Sequence, residues 1–152
     1  MHIEQDDLSR VAVHELLREH LAHMHELSPP EQVFALDVSR LRAPDITFWT
    51  AWEAGQLLGC VALKELDASQ GELKSMRTPT RLRGHGAARA LLRHIIATAR
   101  QRGYTVIRLE TGTHPQFGAA QALYRNAGFA ACGPFAGYQE NPHSLFMELR
   151  LV

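Results

Sequence analysis

The segment 81–103 constrains the fold of this chain more than any other. It opens with a short loop that holds two arginines and two glycines, Arg81-Leu82-Arg83-Gly84-His85-Gly86. Apolar residues at helical spacing follow directly, and Gly103 supplies a C-terminal stop, so an amphipathic helix is predicted over 87–102. Because strand-like runs precede and follow this unit, an α/β domain is predicted.

The rest of the chain predicts further strands and helices in a mixed order. Asp6, Asp7 and Ser9 are predicted to cap a first helix, which begins within 8–10 and ends at Ser28-Pro29-Pro30. A hairpin is predicted over 46–66, with its turn supplied by Ala54-Gly55 together with Gln56. Further helices are predicted over 30–37 and 117–127, and strands over 72–78, 104–109, 129–132 and 144–151. Without a repeat or a linker, residues 1–152 are predicted to form a single domain.

Composition excludes several classes of protein. No apolar run approaches the roughly 20 residues of a membrane span. The first residues are acidic and lack the basic-then-apolar layout of a secretion signal, so a cytoplasmic location is predicted. Cys60 and Cys132 lie far apart without metal-type spacing. Two reduced thiols are expected, with a disulfide as the alternative.

Charge is distributed unevenly although the formal net charge is zero. Residues 1–73 hold thirteen acidic and five basic residues, whereas residues 74–125 hold ten basic residues and one acidic residue, Glu110. A basic half predicts an anionic partner, either nucleic acid or a phosphorylated small molecule. Because aromatic residues are not interleaved with the basic ones, the small molecule is favoured and no nucleic-acid partner is expected.

The glycine loop has the properties of an anion site. Glycines let the backbone approach a ligand, and free amides at a helix N-terminus attract negative charge. Arg81 and Arg83 add formal positive charge, which suits a pyrophosphate or a ribose phosphate. The loop lacks the Gly-Lys-Ser/Thr ending of a nucleotide P-loop and the third glycine of a dinucleotide fingerprint. Without further context, a plain turn is the alternative.

Two further segments supply that context. The spacing Arg-x-x-Gly-x-Gly-Ala between a strand and a long helix resembles motif A of the GNAT superfamily of N-acetyltransferases. The run 120–129, Ala-Gln-Ala-Leu-Tyr-Arg-Asn-Ala-Gly-Phe, resembles the superfamily's segment Ala-x-x-Leu-Tyr-x-x-x-Gly-Phe, in which Tyr124 takes the place of the tyrosine. The resemblance covers nearly all of the chain and extends to a bacterial subgroup. It implies a single-domain GNAT fold, in which a mixed, twisted sheet is flanked by helices and split by a V-shaped cleft.

The resemblance also implies where acetyl-CoA binds and how it is used. Pantetheine would lie in the split, with the pyrophosphate on the loop. The implied cofactor-binding residues are Met76, Arg77, Thr78, Arg81, Arg83, Gly84, His85, Gly86, Ala87 and Ala88. In this superfamily a primary amine usually attacks the thioester directly. A small-molecule amine is therefore the expected second substrate. Dimers are common in the superfamily, so a homodimer is one possibility, and the sequence leaves the oligomeric state open.

Three residues are candidates for acid–base catalysis. Tyr124 matches the superfamily's general acid, and its alternative role is packing beneath a helix turn. Glu72, on the strand before the loop and on the same face as Lys74, is a candidate base that acts directly or through water; its alternative role is a surface pair with Lys74. Glu110, at the end of the neighbouring strand, is the second candidate base.

Other positions depart from the superfamily or leave alternatives open. Phe117 stands where members often have an asparagine that binds the cofactor arm, which predicts apolar packing there. His20 and His23 have helical i, i+3 spacing, but no carboxylate or thiol completes a ligand set, so no metal is expected. His20 is either a core residue or a wall of the acceptor pocket. The expected pocket aromatics are Trp49, Trp52, Phe135 and Tyr138, with core packing as the alternative for the tryptophans.

The sequence leaves two classes of function open. The first is N-acetyl transfer from acetyl-CoA to a small amine, and the acidic first half favours a cationic acceptor. The second is a non-catalytic module that binds or senses acyl-CoA with the same fold.

Overall fold

The structure, a computed structural model, describes residues 1–151 and is built on one seven-stranded sheet. The strands are β1 (His2–Gln5), β2 (Ile46–Glu53), β3 (Gln56–Asp67), β4 (Gln70–Arg77), β5 (Val106–Gly112), β6 (Ala130–Ala131) and β7 (Ser144–Arg150). The helices are α1 (Val11–Leu27), α2 (Val38–Leu41), α3 (Ala87–Gln101) and α4 (Gly118–Asn126). The strand order is β1-β2-β3-β4-β5-β7-β6, with β4 and β5 parallel and the other neighbours antiparallel. The predicted mixed α/β class is confirmed.

The hairpin between β2 and β3 forms as predicted. Ala54 and Gly55 form its two-residue turn, and both adopt left-handed backbone angles, with φ values of 49° and 76°. Two successive positive φ angles are those of a type I′ turn, whose twist matches the twist of the flanking strands. The predicted end of α3 is also confirmed, because Gly103 has a φ of 80° and follows its last turn.

Helices cover both faces of the sheet and create two cores. On one face, α3 and α4 pack against the sheet through residues that include Leu91, Ile95 and Tyr124. On the other face, α1 and α2 contribute Val13, Leu16, Leu17 and Leu41 to a second core. The sheet is therefore the central layer, with helices packed on each of its faces.

The beginning of α1 differs from the prediction. The helix starts at Val11, and its N-cap, Arg10, provides no side-chain hydrogen bond. Asp6 instead accepts hydrogen bonds from the Leu8 amide (2.8 Å) and the Thr50 hydroxyl (3.1 Å). The buried carboxylate closes a turn in which Leu8 has a φ of 65°. The predicted cap therefore joins β1 to the sheet rather than starting the helix.

Two other segments also differ from the prediction. Residues 30–37 do not form one helix, because a short 3₁₀ turn (Pro30–Gln32) gives way to extended chain, and α2 starts only after Asp37. The Asp37 carboxylate caps α2 by accepting from the Arg40 amide at 2.9 Å. The strand predicted over 104–109 is shifted to Val106–Gly112. Its neighbour β7 pairs with it over that whole length, which extends the strand past Glu110.

Candidate active site

The sheet splits where β4 and β5 separate. These parallel strands pair only at Gln70–Glu72 and Val106–Arg108, although each strand continues beyond that point. A cavity of about 360 Å³ lies in the split. Its walls come from α1 and the segment after it, from β4, from the loop before α3, from the end of β5 and from α4. The V-shaped cleft implied by the resemblance is therefore present.

The loop before α3 has the geometry of an anion site. Gly84 and Gly86 adopt left-handed φ angles of 87° and 78°, and no heavy atom lies within 4 Å of a Cβ built at either position. The N-cap of α3, Gly86, offers no side-chain hydrogen bond, so the first-turn amides depend on an external acceptor. Arg81 and Arg83 are exposed beside them. This donor set fits a pyrophosphate, and with it the CoA that the resemblance implies.

The predicted cofactor residues fall into two groups. Those that line the cavity are Met76, Arg77, Thr78, Arg83, Gly84 and Ala88. Those that do not line it are Arg81, His85 and Gly86, which are exposed on the loop, and Ala87, which is buried in the core. The edge of β4 that would accept an extended ligand faces the split, because its pairing with β5 stops at Glu72.

Phe117 occupies the position of the superfamily's asparagine with an apolar ring. A Cβ placed on Gly112 would lie 2.1 Å from the Phe117 ring, so the ring packs directly on the glycine backbone. The ring also lies 6.1 Å from the ring of His23. Apolar packing at this position, as predicted, joins the end of β5 to α1.

A polar clamp holds α1 over the end of β4. Arg77 is buried, and its guanidinium contacts Glu19 at 2.8 Å and His23 at 3.0 Å. The Thr80 hydroxyl donates to the same Glu19 oxygen at 2.8 Å. Partial burial would raise the pKa of Glu19, but the hydrogen bonds from Arg77 and Thr80 lower it overall. The side chain of Arg77 is therefore committed to the clamp and is not free for a phosphate.

Tyr124 lies on α4 and lines the cavity with a buried side chain. Its ring packs against Phe129, with ring centroids 5.7 Å apart. Burial, and then the nearby charge of Glu110, raise the pKa of the Tyr124 phenol well above its usual range. The phenol therefore carries its proton throughout the neutral range.

Glu110 lies on β5 and lines the same cavity. Burial raises the pKa of its carboxyl to about 7. Within residues 1–151, no nitrogen of a basic side chain lies within 4.0 Å of this carboxylate. Near neutral pH the group thus exists in both protonation states, which is the condition for a general base.

Glu72 lies at the centre of a buried network. Its Oε2 atom accepts from the Tyr138 hydroxyl at 2.6 Å and from the Lys74 ammonium at 3.1 Å. Lys74 also donates to the Tyr138 hydroxyl at 2.8 Å. The predicted pair with Lys74 exists, but Glu72 is 2% exposed, so it is not a surface pair. Burial, and then the charge of Glu72, raise the pKa of Tyr138.

The expected pocket aromatics separate into two places. Tyr138 packs edge-on against Phe34, a cavity residue, at 5.0 Å between ring centroids, and Phe135 packs against Tyr138. Trp49 instead contacts His94 of α3, and Trp52 lies under the guanidinium of Arg10. None of the four expected aromatic residues lines the cavity itself. Tyr138 contacts two residues of its wall, Phe34 and Glu72. The tryptophan side chains project from β2, which is separated from the cleft by β3, so the assignment of the tryptophans to the acceptor pocket is wrong.

His20 is both buried and part of the cavity wall. It is 8% exposed, and burial lowers its pKa to about 4. Its Nδ1 atom has no hydrogen-bond partner among residues 1–151. His23 lines the cavity beside it. No group of three or more His, Cys, Asp or Glu residues in the described chain is arranged to hold a metal ion.

The predicted role of the acidic first half is not supported. Of the thirteen acidic residues in 1–73, only Glu72 lines the cavity. The remaining acidic side chains lie elsewhere, so a cationic acceptor cannot be inferred from them. Both cysteines are free thiols, and Cys60 is buried on β3, where its thiol donates to the Ser75 carbonyl oxygen of the neighbouring β4 at 3.3 Å.

Sequence reasoning missed the contacts between distant segments. The sequence indicates Lys74 only as a partner of Glu72 and Tyr138 only as a pocket aromatic, although the two residues meet across 64 positions of the chain. The Glu19–Arg77 clamp joins residues 58 positions apart. No local pattern indicates such pairs, because each becomes adjacent only when the sheet and its covering segments assemble.

Comparison with known proteins identifies relatives along almost the whole chain. The family model described as "Acetyltransferase (GNAT) family" matches residues 10–129. The chain is 50% identical over 151 residues to the "Uncharacterized N-acetyltransferase YsnE" of Bacillus subtilis, covering 99% of this chain and 100% of that protein. It is 48% identical to the "Uncharacterized N-acetyltransferase YedL" of Escherichia coli, covering 98% and 94% respectively.

Solved structures show the same fold. A putative acyl-CoA N-acyltransferase from Klebsiella pneumoniae superimposes with a TM-score of 0.79 at 29% identity, covering 99% of this chain and 97% of that one. An aminoglycoside 6'-N-acetyltransferase in complex with coenzyme A superimposes with a TM-score of 0.69 at 14% identity, covering 100% and 98%. None of the helices described within residues 1–151 has the length and apolar character needed to cross a bilayer.

Proposed function

The chain belongs to the acetyltransferase (GNAT) family and is an acyl-CoA-dependent N-acyltransferase, and from this premise we propose that it transfers an acetyl group from acetyl-CoA to a primary amine of a small molecule. The observation that carries this proposal is the continuity of one cavity. It joins Arg83 and Gly84 of the anion-binding loop to Tyr124 and Glu110. A phosphate site and an acid–base pair therefore share one space.

The loop and β4 are proposed to hold the cofactor. The amides at the start of α3, with Arg81 and Arg83, would bind the pyrophosphate. The open edge of β4 at Met76, Arg77 and Thr78 would bind pantetheine. Exposed His85, Gly86 and the first α3 residues, Ala87 and Ala88, complete the proposed loop site. Bound acetyl-CoA supplies an activated thioester carbonyl and a thiolate leaving group.

Glu110 is proposed as the base that takes a proton from the acceptor ammonium. The competing candidate, Glu72, already accepts hydrogen bonds from Tyr138 and Lys74 through one oxygen. Glu110 faces the cavity without a basic partner among the described residues, and its pKa of about 7 suits proton transfer near neutral pH. Glu72 then acts by holding Lys74 and Tyr138 in place.

Tyr124 is proposed as the donor to the leaving sulfur. Its raised pKa keeps the phenol protonated and ready to donate a hydrogen bond to a developing thiolate. In the balanced reaction, Glu110 receives one proton from the amine and the amide C–N bond forms as the C–S bond breaks. The sulfur takes a proton from Tyr124, which is replaced by the second proton that the nitrogen loses, and Glu110 releases its proton to solvent. The products are an N-acetylated amine and CoA.

The test is acetyl-CoA-dependent thiol release with a panel of primary amines. Tyr124→Phe is expected to lower kcat by about 10²-fold, the lower end of general acid–base contributions. Tyr104→Phe is the matched control, because the Tyr104 hydroxyl contacts Glu65 outside the cleft, at 2.7 Å. Acetyl-CoA should raise the melting temperature of all three proteins.

The alternative function, a non-catalytic acyl-CoA-binding module, predicts a different outcome. Acetyl-CoA would stabilise the protein, but no amine would release thiol, and Tyr124→Phe would change nothing. If millimolar acetyl-CoA failed to raise the melting temperature, both functions would be rejected. The cytoplasmic location and the single domain stay predictions from the sequence, and the homodimer stays one possibility.

A further inference from the structure

Lys74 and Glu110 occupy equivalent positions on the two sides of the split. Glu72 and Arg108 form the last pair between β4 and β5. Two residues further along each strand, on the same face of the sheet, stand Lys74 and Glu110. Both residues line the cavity. A cation on one strand therefore faces a carboxylate on the other, just past the point where pairing ends.

These two charges do not neutralise each other. The Lys74 ammonium pairs with Glu72 at 3.1 Å, and no ion pair within 4.0 Å joins it to Glu110. An ammonium has three donors, and Lys74 uses two of them on Glu72 and the Tyr138 hydroxyl. Its side chain is 9% exposed. One donor of a nearly buried cation thus remains for a group inside the cavity.

The charge arrangement discriminates between classes of amine. A polyamine would bring a second ammonium toward Lys74. Besides Glu110, Glu72 is the only acidic residue among those that line the cavity, and its Oε2 atom already accepts two hydrogen bonds. Leaving a charge desolvated and unpaired is costly. A molecule with one amine and one carboxylate would match both walls, with its amine toward Glu110 and its carboxylate toward Lys74.

We propose that the acceptor is a compact amino carboxylate, such as an α-amino acid, whose carboxylate binds Lys74 while its amine faces Glu110. This inference rests on the proposed function and names the substrate class of the same site. Tyr138 takes part as a positioning residue, because its hydroxyl holds both Glu72 and Lys74. Phe34, packed against Tyr138, offers an apolar surface to the acceptor's side chain.

The experiment compares amino acids with the amines that remain when their carboxylate is removed. Phenylalanine with phenethylamine, leucine with isopentylamine and lysine with cadaverine are suitable pairs. We expect kcat/KM for thiol release to favour at least one amino acid over its amine by about 10–100-fold, the size of a hydrogen-bonded charge contact. Because each pair differs in the carboxylate, the ratio reports on the Lys74 contact.

A double variant tests whether Lys74 causes the preference. Lys74→Met combined with Glu72→Gln removes the ammonium without leaving its carboxylate partner unpaired, and should reduce the ratio to within about threefold of unity. Glu72→Gln alone keeps the ammonium and leaves an amide oxygen beside it as an acceptor, so its preference should be smaller than that of the wild type but clearly larger than that of the double variant. Binding of acetyl-CoA, measured by thermal shift, should be unchanged in both variants and shows that they are folded.

The outcomes separate this inference from the proposed function. Turnover in which every decarboxylated amine matches or exceeds its amino acid overturns the amino carboxylate and leaves acetyl transfer standing. A preference that persists in the double variant overturns the role of Lys74. If no amine of either class is acetylated, acetyl transfer fails. Amino acid binding to the CoA-loaded protein, detected by calorimetry and lost in the double variant, would then still support the inference, and its absence would overturn it.

Discussion

The two ends of the cavity are built in contrasting ways. The cofactor end, where the proposed CoA site lies, comes from the continuous segment 76–88, in which strand, loop and helix start follow one another. The acceptor end, where the proposed acceptor site lies, comes from α1, the segment after it, β4 and β5, and its buried Glu72 is held by Tyr138 from the segment between β6 and β7. Its central contact, Tyr138 with Glu72, joins residues 66 positions apart.

The electrostatics of the two ends differ in the same way. Arg81 and Arg83 are exposed, and the loop around them carries no acidic residue. The acceptor end instead buries Glu72 and Lys74 in one network, while burial keeps part of the Glu110 population protonated near pH 7. An exposed cationic loop can bind the phosphates common to all CoA thioesters, whereas a buried network can select one acceptor. Changes at one end should therefore leave the ligand of the other end unaffected.

The largest effect is expected from Glu110→Gln. Glutamine keeps the shape of the side chain but cannot accept a proton, so kcat/KM should fall by about 10²–10⁴-fold. In the wild-type enzyme, activity should rise with pH as Glu110 loses its proton near pH 7, and this limb should disappear in the variant. Glu140→Gln, at an exposed loop position, is the control and should retain wild-type kinetics. An unchanged pH limb would identify another group as the base.

The same substitution should show how much the buried Glu110 carboxylate lowers the free energy of unfolding. The Glu110 pKa rises from 4.5 to about 7 on folding, so the folded state holds a proton that the unfolded state releases as the pH increases. The contribution of Glu110 to the free energy of unfolding is therefore greatest below pH 4.5. It decreases by about 3 kcal/mol as the pH rises to about 7. Urea unfolding should show Glu110→Gln gaining stability relative to the wild type across this pH window. Parallel stability curves for the two proteins would contradict the buried environment.

A smaller effect is expected where the Phe117 ring packs on the end of β5. Gly112→Ala would place a methyl group against the Phe117 ring, and overpacking of this kind costs about 1–3 kcal/mol of unfolding free energy. Gly118→Ala is the matched control: its Cβ would meet open space in a helix, and it should raise stability by up to about 1 kcal/mol. Replacing Phe117 with leucine in the Gly112→Ala background should restore part of the loss, as measured by urea unfolding. Equal stability of the two alanine variants would show that the ring is free to move away.

The smallest effect is expected at the cofactor end. Removing both arginines in Arg81→Ala/Arg83→Ala should raise the KM for acetyl-CoA by about 3–10-fold, because exposed ionic contacts contribute up to about 1 kcal/mol each. The increase should shrink at high salt, and the KM for the amine should not change. Arg100→Ala, an exposed arginine near the far end of α3, is the control. A comparable change in the KM for the amine would show that the two ends are coupled.

The sequence predictions were correct where neighbouring residues decide the structure and wrong where residues distant in sequence decide it. The hairpin turn at Ala54-Gly55, the long helix α3 with its stop at Gly103, and the loop between Arg81 and Gly86 depend on backbone preferences of neighbouring residues. These elements formed as predicted. The cap at Asp6, the helix over 30–37 and the pocket tryptophans were wrong, because a partner distant in sequence decided each of them. Thr50 holds Asp6, and β3 separates the tryptophans from the cleft.

The sequence by itself determined the α/β class and the glycine loop proposed to bind an anion, and its motifs indicated the GNAT family and Tyr124 as a candidate acid. Periodicity, glycine geometry and charge are properties of adjacent residues, so they can be identified in the sequence without knowledge of the fold. Only the tertiary structure decided that Glu72 is bound by Lys74 and Tyr138, that Glu110 lies in the cavity without a basic partner among the described residues, and that Lys74 faces it across the split. These properties depend on burial and on distances between strands, which arise only when β4 and β5 pair at one end and separate at the other.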